Sequence, residues 1–259
     1  MKTSDLKLIV QEKYGRIASS DTGNGESCSC SDSCCGSEGY STFNESYDHL
    51  QGYNPEADLS LGCGIPVDHA GIKPGDHVLD LGCGAGNDCF VARSLTGEPG
   101  HVTGLDFTRP MLRKAEENLA KLGYSNISFV EGDIEDMPLP ENHFDVVISN
   151  CVINLVPDKH KAFREIFRVL KPGGHLCISD VVIIGTLSAQ AKSDAEAYAG
   201  CVSGAMEYSE YLQVISEAGF SDVKIDTEKR IEVPGYLSPV SSGDQAAGVF
   251  SITVLARKP

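Results

Sequence analysis

Basic residues are scarce in this chain: 21 Lys and Arg stand against 37 Asp and Glu, a formal net charge of −16 over 259 residues. A protein of that sign repels a phosphate backbone at long range, and no stretch is dense in Lys or Arg with interleaved aromatics. Nucleic acid is therefore excluded as an expected partner. Long apolar runs are missing as well, none reaching the roughly 20 residues that a membrane-spanning helix needs. The N-terminus is charged and amphipathic, which does not describe a signal peptide. The expectation is a soluble, cytoplasmic protein with no membrane partner. Paired Cys-x-x-Cys spacing, the usual mark of structural zinc, is absent although the chain has 10 cysteines. Cytoplasmic thiols stay reduced and a domain of this size needs no disulfide staples. The cysteines thus point to metal binding, redox chemistry or catalysis.

The most informative segment is Val78-Leu79-Asp80-Leu81-Gly82-Cys83-Gly84-Ala85-Gly86, a buried strand running into a glycine-rich turn that opens a helix. Glycines let backbone approach a nucleotide-like ligand closely, and Asp106, ending the next strand, is placed to accept ribose hydroxyls. A dinucleotide fingerprint wants a third glycine where Asn87 stands. Asp80, two residues before Gly82, suits a ligand whose buried end is cationic, an ammonium or sulfonium, rather than a phosphate. Gly132-Asp133-Ile134-Glu135-Asp136 follows a third strand, and Leu170-Lys171-Pro172-Gly173-Gly174 precedes a fifth. Together these motifs resemble the S-adenosylmethionine-dependent methyltransferases of the Rossmann-like class, over about Gly71 to Pro259.

The periodicity predicts strands His77 to Leu81, Val102 to Asp106, Ile127 to Glu131, Phe144 to Ser149 and His175 to Val182. Helices are predicted over Asn87 to Leu95, Thr108 to Leu122, Asp158 to Leu170 and near Ser209 to Ala218. Strands near Val223 to Val233 and Val249 to Arg257 would form a closing antiparallel pair, with Pro234 to Gly248 a surface insertion between them. Ahead of the core, Ser4 would cap a helix carrying Leu6, Ile9, Val10, Tyr14 and Ile17 at helical spacing, ending near Ser19-Ser20. A Gly-, Ser-, Asp- and Cys-rich loop follows from Asp21 to Gly39, and Asn54-Pro55 reads as the start of a short helix.

The fold class expected is α/β: a Rossmann-like seven-stranded methyltransferase sheet, mostly parallel, with an antiparallel C-terminal pair and an N-terminal helical and Cys-rich appendage. The expected division is an N-terminal helix and substrate-covering segment over residues 1–70, an S-adenosylmethionine-binding core over 71–185, and a sheet-completing, site-roofing segment over 186–259.

Ligands of such sheets sit outside the carboxyl ends of the strands at the switch point. Gly82, Gly84 and Gly86 would surround the methionine part of the donor, with Asp80 nearby and Asp106 on the ribose. The resemblance further implies Ile134 and Glu135 flanking the adenine and Asn150 near the methionyl end. Met111 packs on the adenine or is plain core.

Cys151 follows Asn150 at the end of the fourth strand, Cys63 lies in a Gly-Cys-Gly turn before the core, and Cys201 lies after the fifth strand. Three thiolates without a fourth ligand suit a soft, thiophilic centre that keeps a lone pair, and trivalent arsenic fits that description. Leu61-Gly62-Cys63-Gly64, Ser149-Asn150-Cys151-Val152-Ile153-Asn154-Leu155 and Gly200-Cys201 with Ser203-Gly204-Ala205 resemble the arsenite S-adenosylmethionine methyltransferases. Cys63, Cys151 and Cys201 would then hold arsenite or an arsenic-thiol conjugate. Cys83, Cys89 and Cys177 read as buried packing. Cys28, Cys30, Cys34 and Cys35 read as a redox or delivery arm, a metal-binding arm, or a tail without function.

The arsenic lone pair is the nucleophile in this reading, so no general base is needed. His69, the best candidate among the histidines, reads as structural. The resemblance implies that cysteines return the product to the trivalent state and that an external thiol reductant, glutathione or a thioredoxin-like protein, resets them. A monomer is expected. Two other readings stay open: a methyltransferase for a small organic acceptor, and a thiol-rich metalloid-binding protein without catalysis.

Overall fold

A computed structural model describes residues 3–19, 45–193, 204–240 and 247–259. The described elements, in chain order, are α1 Thr3–Ser19, α2 Pro66–His69, β1 His77–Leu81, α3 Asn87–Thr96, β2 His101–Asp106, α4 Arg109–Leu122, β3 Ile127–Glu131 and β4 Phe144–Asn150. After them come α5 Lys159–Val169, β5 Leu170–Ile184, α6 Ala189–Ser193, β6 Met206–Glu207, α7 Tyr208–Glu217, β7 Ser221–Ile231 and β8 Gly248–Arg257. Among the described residues no helix is long and apolar enough to cross a membrane.

The sheet runs β3-β2-β1-β4-β5-β8-β7, with β1 to β5 parallel and β8 antiparallel to both β5 and β7. This is the expected seven-strand path. The two-residue β6 adds an eighth strand that periodicity is too short to reveal, pairing Val182↔Met206 and Ile183↔Glu207 beyond the end of β4.

Both faces of the middle of the sheet are buried, which is why its central strands read as near-continuous apolar runs. Leu79, Leu81 and Val147 pack into a core with Phe163 and Ile166 of α5 and Tyr211 of α7. Val78, Val146 and Ile148 point the other way, onto Phe90 and Val91 of α3 and Val67 of α2. Each such fully buried side chain is worth about 1.5–3 kcal/mol.

Four local expectations differ. Asn54-Pro55 opens a single hydrogen-bonded turn rather than a helix, because Asn54 Oδ1 accepts from Glu56 N and Asp58 Oδ1 accepts from Ser60 N, tying each end off locally. Strand β5 begins at Leu170, and Lys171–Gly174 bulges between the pairs Phe144↔Leu170 and Val146↔His175. The insertion after β7 is anchored: Leu237 is buried and Val240 bridges to Thr186. Helix α1 includes Thr3, which puts Ser4 within the helix rather than ahead of it.

The order β2-β1-β4-β5 reverses direction between β1 and β4, and that switch point positions the site. The register pairs Leu81↔Ser149 and Asn150↔Ser179. The chain leaving β1 at Gly82, the chain leaving β4 at Cys151, and Asp180 on β5 therefore stand side by side.

Candidate active site

A two-lobed cleft opens at these strand ends. The first lobe, about 690 Å³, is lined by Asp80, Gly82, Gly84, Asp88, Asn150 and Cys151 among others. The second, about 460 Å³, is lined by Leu105, Asp106, Phe107, Asp133, Ile134 and Val156 among others. Gly82, Val152 and Leu155 line both. Gly82 is in the left-handed region (φ 68°), and a Cβ there would meet Val152 Cγ2 at 2.4 Å, so only glycine fits under the bridge between the lobes.

The glycine turn is tied to Asp106, whose Oδ2 accepts from Gly84 N (3.0 Å) and Oδ1 from Thr108 N (2.8 Å). Burial pushes the Asp106 carboxyl up, and those backbone donors work against the shift. Gly86, at φ 95°, caps α3 and packs on Phe90, outside both lobes. Ile134 lines the second lobe and Met111 the first. Glu135 lines neither: its Oε2 accepts from Lys7 Nζ (2.7 Å) and its Oε1 from Asp158 N (2.8 Å), which ties the side chain to the start of α5. The neighbouring Asp133 faces the cleft instead.

Burial raises the Asp80 carboxyl well above the ordinary range, helped by Asp88 close by, and Cys89 Sγ donates to Asp80 Oδ2 at 3.2 Å. Burial also raises Asp88, against hydrogen bonds from Tyr47 and Asn150. Asp88 Oδ1 and Asn87 Oδ1 are buried acceptors with no hydrogen-bond partner among the described residues, and both residues line the first lobe. A lobe lined by buried acceptors fits the cationic ammonium end of S-adenosylmethionine, whose charge would favour the ionised form of Asp80 and Asp88.

Asn150 holds the segment before the core. Its Oδ1 accepts from Cys63 N (3.0 Å), and its Nδ2 donates to Gly64 O (2.8 Å) and to Tyr47 Oη (2.8 Å). Both glycines around Cys63 are required by close approach: a Cβ on Gly62 would meet Asn150 Nδ2 at 2.6 Å, and one on Gly64 would meet Ser179 Oγ at 2.8 Å. Ser251 of β8 donates to Cys63 O. Asn150→Ala removes the acceptor for Cys63 N and a donor to Gly64 O, at about 1–3 kcal/mol per buried group left unsatisfied. A lower urea midpoint is expected, and an unchanged one would remove Asn150 from this role.

Cys151 adopts a left-handed conformation (φ 60°) and donates its N–H to Ser179 O at 2.8 Å, continuing the β4–β5 ladder by one bond. Cys63 Sγ, Cys151 Sγ and a carboxylate oxygen of Asp180 lie within 4.8 Å of one another, and all three side chains are buried. Cys201, Cys28, Cys30, Cys34 and Cys35 lie outside the described residues. Cys177 donates to Pro66 O in the core, and burial holds the Cys83 thiol up at about 11 and Cys89 well above the ordinary thiol range. None of these three is poised as a nucleophile or ligand. His69 pairs with Asp226 (2.8 Å), outside both lobes.

Sequence reasoning did not single out Asp180, Tyr47 or Asp88. Asp180 carried a signal, a carboxylate inside the apolar run Leu176–Val182. Burial raises it to about 7, against hydrogen bonds from Val181 N and Tyr211 Oη and the positive charge of Lys159. Between the ordinary aspartate value of 3.8 and about 7 the native chain keeps a proton that the unfolded chain loses. Stability from this group is therefore full below that range and falls as pH rises through it. Asp180→Asn, neutral at every pH, is expected to exceed the parent in stability by on the order of 1–3 kcal/mol at about pH 8 and to match it below about pH 4. Urea midpoints across that range check the slope, and a constant difference would contradict it.

The sheet order, the glycine turn tied to the acid ending β2, and the two-lobed cleft at the switch point are those of an S-adenosylmethionine-dependent methyltransferase. A family model described as a methyltransferase domain matches residues 72–219. The chain belongs to the arsenite methyltransferase family, being 38% identical to the arsenite methyltransferase of Halobacterium salinarum over 98% of this chain and 67% of that protein. It is 36% identical to the arsenite methyltransferase of Homo sapiens over 71% of this chain and 51% of that protein. The crystal structure of an arsenic (III) S-adenosylmethionine methyltransferase from Chlamydomonas reinhardtii superposes with a TM-score of 0.64 at 36% identity, covering 75% of this chain and 66% of that one. The chain thus spans about half to two thirds of the length of these relatives.

Proposed function

We propose that this protein methylates trivalent arsenic, holding it through Cys63, Cys151 and Cys201. The observation that carries the reading is the pair of buried thiols, Cys63 and Cys151, brought together beside the donor cleft. The names of its relatives support the same substrate.

S-adenosylmethionine, when bound, supplies an electrophilic methyl group on a sulfonium. Asp106 would hold its ribose, Asp133 and Ile134 would flank its adenine, and Asn87 and Asp88 would receive its ammonium. Arsenite would exchange its hydroxyls for protein sulfurs, releasing water as each thiol proton leaves. The thiolates then aim the arsenic lone pair at the methyl carbon. Such positioning can remove roughly 7–11 kcal/mol from a barrier. No proton leaves the attacking atom, so this reading asks for no general base.

Alkylation converts arsenic formally to the pentavalent state. Two thiolates give it two electrons and become a disulfide, and the chain is reset by exchange with an external thiol, glutathione or a thioredoxin-like protein. Cys28, Cys30, Cys34 and Cys35 are the proposed entry point for that exchange. The full chain, incubated with labelled S-adenosylmethionine, arsenite and a thiol, is expected to release methylated arsenic over many turnovers. Stoichiometric arsenite binding without turnover would favour a sequestering protein, and label transfer only to an organic acceptor would overturn the reading.

A further inference from the structure

The donor set beside the cleft is not purely sulfur. Asp180 belongs to the same cluster as Cys63 and Cys151, and it is fully buried. Trivalent arsenic needs only the sulfurs, so the proposed methyl transfer leaves this carboxylate without a task. Two thiolates and a carboxylate are a donor set that a divalent thiophilic cation accepts readily.

The dimensions agree. With bonds of about 2.3 Å to sulfur and about 2.1 Å to oxygen, ligand atoms on one tetrahedral Zn²⁺ stand about 3.6–3.8 Å apart. The three atoms here lie within 4.8 Å of one another, so closing on an ion asks for movement of about 1 Å. Rotation about the side-chain bonds supplies that without moving the strands. The backbone is already fixed: Asn150 and Ser251 hold Cys63, Ser179 O holds Cys151 N, and Asp180 follows Ser179 on β5. Asp180 Oδ1 accepts from Val181 N (3.0 Å) and Oδ2 from Tyr211 Oη at a long 3.3 Å, and the carboxyl also accepts from the Asn154 backbone, which leaves a lone pair for a metal.

We propose that Cys63, Cys151 and Asp180 form a binding site for a divalent thiophilic cation of the Zn²⁺ class, and that its occupancy shuts trivalent arsenic out of the same two thiols. The cation replaces the two thiol protons and any proton on the carboxyl, which pass to solvent. Two thiolates and one carboxylate then face a double positive charge, and water completes the fourth position. The cation half of this proposal stands on the cluster alone, whereas the competition half rests on the arsenite reading above.

Co²⁺, which reports sulfur ligation by a near-ultraviolet charge-transfer band, is the probe. The full chain with Cys28, Cys30, Cys34 and Cys35 replaced by serine, kept reduced with a phosphine, is titrated with Co²⁺ and separately with arsenite. One Co²⁺ per chain with a sulfur band is expected, and Cys63→Ser or Cys151→Ser should remove the band. Asp180→Asn should lower the ratio of Co²⁺ affinity to arsenite affinity by roughly tenfold or more, a loss typical even of groups that only support a ligand. Far-ultraviolet circular dichroism checks its fold, and Asp180→Ser carries the same comparison if the asparagine variant does not fold. In the chain that keeps Cys28, Cys30, Cys34 and Cys35, saturating Co²⁺ should stop arsenite methylation. No sulfur band in the parent, or an unchanged affinity ratio in the Asp180 variants, would overturn the proposal. Asp180-dependent Co²⁺ binding in a chain that takes up no arsenite would sustain the cation site and sink the arsenite reading. Arsenite turnover without a cobalt band would do the reverse.

Discussion

Replacing Cys151 with serine is expected to lower methyl transfer to arsenite by at least ~10²-fold, the loss associated with misplacing a reacting atom by about 1 Å. Serine keeps the shape and tolerates the backbone much as cysteine does, so the left-handed turn at φ 60° and the bond from residue 151 N to Ser179 O should persist. What goes is the soft sulfur donor, for which a hydroxyl is a poor substitute. Initial rates with labelled donor, paired with calorimetric titration of S-adenosylmethionine, separate the two effects. The expected pattern is a collapsed rate in a chain that still binds its donor, and a rate near the parent's would take Cys151 out of the arsenic site.

Asp106→Ala carries the second large effect, on donor affinity. Its carboxylate ties the glycine turn through Gly84 N and α4 through Thr108 N, and it lines the lobe proposed for the nucleoside. Hydrogen bonds to a charged acceptor contribute about 1.5–3 kcal/mol, so S-adenosylmethionine affinity should fall roughly 10- to 100-fold. An unchanged calorimetric affinity would remove Asp106 from the donor site. The cleft also explains why this acid is placed where it is: β1 and β2 are in register, with Leu81↔Leu105, so the residue ending β2 stands beside the turn leaving β1.

Much of this was legible in local sequence. The strands β1, β2 and β4 fell where apolar runs indicated, because burial on both faces leaves each central strand a short unbroken hydrophobic signature. The glycine turn was legible for a steric reason, since Gly82 and Gly84 take left-handed conformations and Gly82 lies under Val152. Less legible was anything set by a partner distant in sequence. Asn150 was expected beside the donor and does line the first lobe, yet its hydrogen bonds go to Tyr47, to Asp88 and to the backbone of Cys63 and Gly64. Glu135, expected at the adenine, does not line the second lobe, and its Oε1 accepts from Asp158 N, a contact between segments that share no local pattern.

By itself the sequence determined the fold class, the donor loop and the candidacy of Cys63 and Cys151, since backbone sterics and hydrophobic period act over a few neighbouring residues. Tertiary structure alone decided that those two thiols meet and that Asp180 joins them. Strand order and register are products of non-local hydrogen bonding, and it is the pairing Asn150↔Ser179 that sets a carboxylate on β5 against the cysteine that follows β4.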